Sequence, residues 1–270
     1  MSLVSVEHLE QHFSVKEGVV FDREVARVHA VDDVSFELGE GETLGLVGES
    51  GCGKTTLARS IMRLLEPTGG KIEFDGHDIT HASAREMRPL RRELQMVFQD
   101  PFASLNPRKR VTQIVGQPLR LHGVAKDEVP ARVEGLLGQV GLQAEHVNRY
   151  PHEFSGGQRQ RIGIARALAL EPRLIVLDEP VSALDVSVQA QVLNLLQDLQ
   201  AEFKLSYIFI SHDLAVVKYI SDQVMVMNEG EIVEIANSDE IYRHPREAYT
   251  KRLLASIPKG WHGDHARAGD

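Results

Sequence analysis

The sequence has 270 residues, of which 42% are hydrophobic and 26% are charged, values typical of a globular protein with a substantial core. The formal net charge of -9 argues against a nucleic-acid binder, because such proteins usually carry a basic face. Cys52 is the only cysteine, which excludes an internal disulfide and fits a reducing compartment. Neither a signal peptide nor a membrane-spanning apolar run is recognisable, so we expect a soluble cytoplasmic protein.

The N-terminal part of the chain has the pattern of a β-sheet. Residues 1–40 alternate apolar and polar positions, which predicts antiparallel strands. Residues 15–27 are rich in charge, and we expect them to loop outward between the strands. Phe13 stands ahead of this segment. It is either a core residue of its strand or an aromatic ring that stacks on a nucleotide base, and the pattern favours neither.

A glycine-rich segment follows, in which residues 48–56 fit the phosphate-binding pattern G-x-x-x-x-G-K-[ST]. A short apolar strand, residues 43–47, precedes it, and apolar residues at helical spacing follow it as far as Leu65. In this context the glycines let successive backbone N–H groups and a helix N-terminus face a phosphate. Lys54 would then reach the β- and γ-phosphates, and the Thr55 hydroxyl would bind Mg²⁺.

The middle of the chain predicts a strand and then a group of helices. Residues 94–98 form an apolar strand that delivers Gln99 to an irregular loop, where site residues often lie. Residues 111–150 predict a helical subdomain inserted into the sheet domain. We expect short breaks in its helices at four positions: Gly123, Pro130, Gly138 and Gly141.

A pair of glycines lies at the start of the helix that follows this subdomain. Ser155 is a plausible N-cap, and Gly156 and Gly157 follow it. Glycines inside a helix weaken it by propensity, so they make sense if a phosphate must approach that backbone closely.

Two buried strands then end in polar residues. Residues 174–177 are an uninterrupted apolar run, as in a central parallel strand, and Asp178 and Glu179 follow directly. Asp178 is placed to hold Mg²⁺ and Glu179 to activate a water. Residues 207–210 form a further strand that leads to His212, a candidate on the same sheet edge.

The helix between these strands and the C-terminal elements complete the prediction. The helix should bury a face of Val188, Val192, Leu195, Leu199 and Phe203. Residues 224–233 predict a hairpin, residues 238–256 one helical segment, and the polar tail from Lys259 is expected to be disordered.

These motifs in this order resemble the nucleotide-binding subunit of ATP-binding cassette (ABC) transporters over nearly the whole chain. Residues 48–56 are similar to its Walker A motif, Gln99 to its Q-loop glutamine and residues 155–158 to its signature. Residues 174–179 resemble Walker B with the catalytic glutamate, residues 182–185 the D-loop, and His212 the switch histidine. Phe154 stands where the signature usually begins with Leu, and we expect this change to affect packing rather than phosphate contact.

The resemblance implies an α/β fold: a P-loop NTPase (RecA-like) core with a mixed sheet, an N-terminal antiparallel β subdomain and an inserted α-helical subdomain. The core would comprise residues 1–98 and 159–236, with the β subdomain mostly within 1–40 and 70–80. Residues 99–158 would form the helical subdomain with the signature. Residues 237–270 would form an importer-type extension and the tail.

The family also implies the site. The catalytic residues would be Glu179, His212, Gln99 and Lys54, and the Mg²⁺ ligands Thr55, Gln99 and Asp178. ATP would contact Phe13, Gly48, Ser50, Gly51, Cys52, Gly53, Lys54, Thr55 and Thr56, and across a dimer Ser155, Gly157, Gln158 and Asp185.

The loop at residues 97–108 and the segment at residues 242–254 look like the oligopeptide, dipeptide and nickel importer branch. Some members carry a cysteine cluster near the C-terminus; its absence here resembles the F-type partner of the two ATPase subunits. This similarity implies an ATPase that drives peptide uptake, or uptake of nickel or another small solute. A non-transport ABC ATPase remains an alternative, although one cassette, a small helical insertion and an acidic charge all disfavour it.

The implied partners are membrane permease subunits, a second ATPase subunit in a homo- or heterodimer and, indirectly, an extracytoplasmic solute-binding protein. We expect no nucleic acid and no metal cluster. The protein would lie on the cytoplasmic face of the cell membrane.

Overall fold

The structure is a computed structural model that describes residues 2–17, 23–100 and 104–256. The tail predicted to be disordered and residues 101–103 of the loop after Gln99 lie outside these ranges. No helix in the described ranges is both long and apolar enough to cross a bilayer.

In the part of the chain that the structure describes, ten strands form two sheets. The strands are β1 (Ser2–Glu17), β2 (Arg23–Gly39), β3 (Thr43–Val47), β4 (Gly69–Phe74), β5 (His77–Asp78), β6 (Leu94–Val97), β7 (Leu174–Asp178), β8 (Ser206–Ile210), β9 (Gln223–Asn228) and β10 (Glu231–Asn237). The first sheet is antiparallel, with the order β2-β1-β4-β5. The second is mixed, with the order β10-β9-β3-β8-β7-β6, because only β10 runs antiparallel to its neighbour.

Nine α-helices and two short 3₁₀ helices lie in the described ranges. The α-helices are α1 (Lys54–Ile61), α2 (Ala84–Leu90), α3 (Val111–Leu121), α4 (Val129–Gln139), α5 (Gly156–Leu168), α6 (Val186–Phe203), α7 (Leu214–Ile220), α8 (Ser238–Arg243) and α9 (Ala248–Ala255). The 3₁₀ helices are Ala144–Asn148 and Pro151–Glu153.

The mixed sheet separates two apolar cores, as the alternation of side chains along a strand requires. On β7, Leu174 and Val176 face a core shared with α1 and the antiparallel sheet. Ile175 and Leu177 face a core shared with α3 to α7. An uninterrupted apolar strand is therefore buried on both faces, as predicted, and the fold is the expected α/β arrangement with an antiparallel β subdomain.

The outward loop predicted for residues 15–27 is wrong where the structure describes it. Residues 15–17 belong to β1 and residues 23–27 to β2, and the two strands pair as far as Glu17 and Arg23. The backbone ladder continues because its hydrogen bonds do not depend on an apolar face. Phe13 pairs with Val28 and is 41% exposed, so the interpretation of Phe13 as a core residue is also wrong.

One predicted helix end and two predicted helix breaks are wrong. The helix after the glycine loop ends at Ile61 rather than Leu65, because Arg63 adopts a left-handed φ of 50°. Pro130 and Gly138, predicted as breaks, lie inside α4. Pro130 is tolerated because the first turn of a helix has no partner for its N–H. The breaks predicted at Gly123 and Gly141 are confirmed, since both lie between helical segments with positive φ.

Two predictions in the C-terminal half also need correction. Phe203 does not belong to the buried face of α6, because it lies at the end of that helix and is 38% exposed. The last helical segment is not continuous but divides into α8 and α9. Pro245 explains the division, because the residue before a proline disfavours helical dihedrals.

Candidate active site

The glycine loop at residues 48–56, hereafter the P-loop, connects β3 to α1 as predicted. Lys54 is the first residue of α1, and its side chain turns back over the loop. Its Nζ donates to the carbonyl oxygens of Gly48 at 2.7 Å and Glu49 at 2.8 Å. Lys54 is buried, so its ammonium group lies inside the loop. Ser50 and Gly51 are exposed at the tip.

Two of the P-loop glycines are required by close backbone contacts as well as by positive φ. A Cβ on Gly53, whose φ is 108°, would lie 2.0 Å from the carbonyl oxygen of Ala30 on β2. A Cβ on Gly48 would lie 2.2 Å from the carbonyl oxygen of Met227 on β9. The turn after β9 adds a bond, since the Gly230 N–H donates to the Cys52 carbonyl at 3.0 Å. Neighbouring strands therefore hold the loop in place.

Thr55 and Asp178 meet at the floor of the site. The Thr55 hydroxyl donates to Oδ1 of Asp178 at 3.0 Å. Asp178 ends β7 and is almost completely buried. Burial raises the pKa of the Asp178 carboxyl, and the hydrogen bond from Thr55 acts in the opposite direction. A hydroxyl and a carboxylate are the hard oxygen donors that Mg²⁺ prefers.

Glu179 joins two other predicted site residues. Its Oε2 accepts a hydrogen bond from Nε2 of Gln99 at 2.9 Å, and its Oε1 lies 3.3 Å from Nδ1 of His212. Glu179 has a positive φ of 46°, although it is not a glycine. Such a conformation costs of order 1–3 kcal/mol and occurs often at functional sites. Its N–H donates to the Ile210 carbonyl at 3.0 Å, a bond that supports this backbone.

The order of the strands explains this convergence. β3, β8, β7 and β6 are adjacent and parallel, so their carboxyl ends lie at one sheet edge. These ends carry in turn the P-loop, His212, the pair Asp178 and Glu179, and Gln99. The prediction that the P-loop, the two carboxylates and His212 share one edge is thus confirmed, and the structure adds Gln99; their individual roles stay predictions. The edge is where parallel α/β sheets bind ligands.

The predicted signature lies at a different place, where α5 meets α6. Ser155 caps α5 by accepting from the Gln158 N–H at 3.3 Å, and Oε1 of Gln158 accepts from the Ser155 N–H at 3.0 Å. A Cβ on Gly157 would lie 2.3 Å from Cγ1 of Val188, so packing against α6 also requires this glycine. Asp185 caps α6 next to it, because its Oδ1 accepts from the Val188 N–H at 3.1 Å; the same oxygen accepts from the Ser187 hydroxyl at 2.8 Å.

Phe154 is buried at the entry to the signature and contacts His146 edge to face, with ring centroids 5.3 Å apart. This position agrees with the expectation that an aromatic residue here changes packing. Thr56, in the first turn of α1, is half-buried.

Three side chains of the β1–β2 hairpin also come close together: His12, His29 and Asp32 lie with ligand atoms within 4.8 Å of one another. The two imidazole rings stack, with centroids 4.0 Å apart and planes 29° apart. A metal ion lies in the plane of each ligating ring, about 2.1 Å from the nitrogen, and nearly parallel rings do not share such a point. We therefore assign no metal site to this hairpin, and the absence of a metal cluster stays a prediction.

One contact of the P-loop has no counterpart in the sequence prediction. The hydroxyl oxygen of Tyr249 on α9 accepts from the Glu49 N–H at 3.3 Å, across 200 positions of the chain. The only sequence signal was the importer-like character of the segment that contains Tyr249, and that signal does not indicate a contact with the loop.

The family comparison agrees with this geometry. The model of the family described as ABC transporter matches residues 31–182. A relative in Bacillus subtilis (strain 168), the oligopeptide transport ATP-binding protein OppF, is 54% identical over 259 residues, which are 95% of this chain and 82% of the relative.

Two solved structures have the same fold. The dimeric ATP-binding cassette MJ0796 in a post-hydrolysis state with ADP and Pi superposes with a TM-score of 0.77 at 27% identity, over 87% of this chain and 98% of that chain. CbiO1 of Clostridium perfringens, part of the ABC transporter complex cbiONQ, superposes with a TM-score of 0.79 at 28% identity, over 97% of this chain and 98% of that chain. With a family model that matches more than half of its residues and a relative this similar, the chain belongs to the ABC transporter family.

Proposed function

We propose that this chain is the ATP-hydrolysing subunit of an ABC importer that takes up peptides. The observation that carries the proposal is the position of Glu179, held between Gln99 and His212 at the edge that bears the P-loop. The peptide specificity is supported by the 54% identity to an oligopeptide transport ATP-binding protein. The name of that relative, OppF, fits the F-type assignment for this chain.

ATP is the substrate of this site. The P-loop N–H groups and the N-terminus of α1 would bind its phosphates, and the Lys54 ammonium would neutralise the β- and γ-phosphate charge. Phe13 would stack on the adenine, for which its exposure leaves room. Thr55, Asp178 and Gln99 offer oxygen donors that fit Mg²⁺, with the Thr55–Asp178 hydrogen bond already bringing two of them together. When bound, the ion would neutralise charge on the phosphate oxygens.

Glu179 would act as the general base. Its carboxylate takes a proton from a water molecule, whose oxygen forms a bond to the γ-phosphorus as the bond to the β–γ bridging oxygen breaks. The products are ADP and inorganic phosphate. His212 and Gln99 keep the Glu179 carboxylate oriented through the two contacts that they make with it. General-base catalysis of this kind contributes roughly 10²- to 10⁴-fold to a rate.

A second cassette would complete the site. Ser155, Gly157 and Gln158 of a facing subunit would bind the γ-phosphate through the N-terminus of α5, and Asp185 would couple the two sites. This is supported by the position of the signature, which lies away from the P-loop of its own chain, at the junction of α5 and α6. Hydrolysis removes the γ-phosphate contacts and so loosens the dimer.

The remaining partners follow from the importer assignment. The loop after Gln99 and the helical subdomain would contact the permease, which would hold this subunit at the cytoplasmic face of the membrane. A solute-binding protein outside the membrane would deliver the peptide.

The proposed division of the chain into domains is the one that the resemblance implies. Residues 1–98 and 159–236 would form the core, residues 99–158 the helical subdomain and residues 237–270 the extension.

The decisive experiment replaces the proposed base by an amide of the same shape. Glu179→Gln should lower ATP hydrolysis roughly 10²- to 10⁴-fold while ATP binding persists, and it should trap an ATP-bound dimer that gel filtration detects. Glu202→Gln is the matched control, because Glu202 is exposed at the end of α6, and it should hydrolyse ATP as the wild type does. Undiminished hydrolysis by Glu179→Gln would overturn the assignment of the base.

A further inference from the structure

The C-terminal extension contacts the P-loop and, separately, the helix that follows His212. The first contact is the hydrogen bond from the Glu49 N–H to the Tyr249 hydroxyl, with 3.3 Å between nitrogen and oxygen. Glu49 is the second residue of the P-loop, next to Gly48, whose carbonyl accepts from Lys54. Tyr249 is half-buried, and the guanidinium of Arg252 lies over its ring, 5.8 Å from the centroid. These contacts fix the position of the ring, and its hydroxyl contacts the P-loop.

The second contact is at the start of α7, directly after residues 211–213, which carry His212 and are hereafter called the His212 loop. Tyr242 on α8 donates from its hydroxyl to the carbonyl of Leu214, the first residue of α7 and two residues after His212. The Lys218 ammonium lies 5.5 Å from the centre of the Tyr242 ring. Burial raises the pKa of the Tyr242 phenol, so the hydroxyl keeps the proton that it donates.

The extension itself is tied to the sheet through one buried carboxylate. Glu234 on β10 accepts from the Arg246 N–H at 2.9 Å and from the Glu247 N–H at 3.1 Å, one bond to each oxygen. These N–H groups lie at the entry to α9, where a helix leaves its first amides without partners. β10 pairs with β9, which itself contacts the P-loop at Gly48. A continuous series of contacts therefore links the extension to the P-loop.

We propose that Tyr249 and Tyr242 are positioning residues of the ATPase site: Tyr249 fixes the P-loop for ATP binding, and Tyr242 fixes the His212 loop for hydrolysis. This inference rests on the proposed function. Tyr249 contacts the P-loop, whereas Tyr242 contacts α7, with hydrogen bonds to the backbone of Leu214 and Lys218, so each should affect a different kinetic step. A role in general stability would instead change both steps together.

The test removes one hydroxyl at a time. Tyr249→Phe should weaken ATP binding by about 2- to 12-fold, the usual range for one neutral hydrogen bond, and leave kcat unchanged. Tyr242→Phe should lower kcat by roughly the same factor and leave the ATP dissociation constant unchanged. Tyr219→Phe is the matched control: its hydroxyl donates to Oδ1 of Asn194 on the exposed surface, so neither constant should change.

A second measurement keeps the inference separate from the proposed function. Hydrogen exchange at the Glu49 amide needs no nucleotide, and it should be faster in Tyr249→Phe than in the wild type or in Tyr219→Phe. If wild-type protein neither binds nor hydrolyses ATP, the proposed function fails, while the exchange result still decides whether Tyr249 restrains the loop. Unchanged exchange, or parallel changes of binding and kcat in both variants, would overturn the inference.

Discussion

The contact between Gly157 and Val188 allows a quantitative prediction for Gly157→Ala. The added Cβ would lie 2.3 Å from Cγ1 of Val188, whereas carbon atoms in contact normally lie about 3.5–4.0 Å apart. Relief needs a shift of more than an ångström, and overpacking of this kind costs typically 1–3 kcal/mol. Alanine recovers at most about 1 kcal/mol of helix propensity. A contact this short falls in the upper part of that range, about 2–3 kcal/mol, so we expect a net loss of about 1–2 kcal/mol in the free energy of unfolding.

The partner substitution tests the cause. Val188→Ala removes two methyl groups from a half-buried side chain, a loss of about 1 kcal/mol by itself. The double variant should be no less stable than Val188→Ala, because the new methyl group of residue 157 enters the space that the valine leaves. Urea unfolding of the four proteins gives the coupling energy, which we expect to be about 1–2 kcal/mol. Losses that simply add would refute the packing explanation.

ATP hydrolysis by the same four proteins separates two reasons for this glycine. If the backbone of Gly157 must also approach the phosphate of a facing nucleotide, the double variant will be more stable than Gly157→Ala but will still hydrolyse ATP more slowly than the wild type. If activity returns together with stability, packing against Val188 alone accounts for the glycine.

Two further predictions concern the nucleotide. Phe13→Ala should weaken ATP binding by about 2- to 12-fold, which is the contribution of one aromatic stack. Stability should change little, because the ring is exposed. An unchanged dissociation constant for ATP would contradict adenine stacking. Cys52 is buried in the P-loop with its Sγ 3.6 Å from Lys54 Nζ, so ATP should slow its alkylation by a thiol reagent, measured by mass spectrometry. Equal labelling with and without ATP would count against this placement.

Much of the site was predictable because its signals are local. The P-loop needs glycines at positions of positive φ, and Ser155 and Asp185 are side chains that cap helices, so short stretches of sequence suffice to indicate them. Glu179 and His212 follow apolar runs that only buried strands explain. Parallel strands share the direction of their carboxyl ends, so these residues could be assigned to one edge before the strand order was known.

Other features depend on contacts that no short stretch contains. The continuation of the β1–β2 hairpin differs from prediction because the pairing of two backbones outweighs the charged character of the residues. Phe13 illustrates the same limit, since its pattern suited a core position and a surface position equally well. Only its exposed fraction of 41% excluded the core position, and adenine stacking stays a prediction.

By itself, the sequence determined the chemistry available to this protein: a phosphate loop, a carboxylate pair at the end of a buried strand, a histidine and a helix N-terminus with two glycines. Local dihedral preferences, capping and the periodicity of apolar residues encode each of these within a few positions. The tertiary structure decided which of them meet. Glu179 contacts Gln99 and His212 because β6, β7 and β8 are adjacent, and Tyr249 reaches Glu49 because α9 folds back onto the loop. Such contacts depend on strand order and on the closure of long loops, which local sequence does not specify.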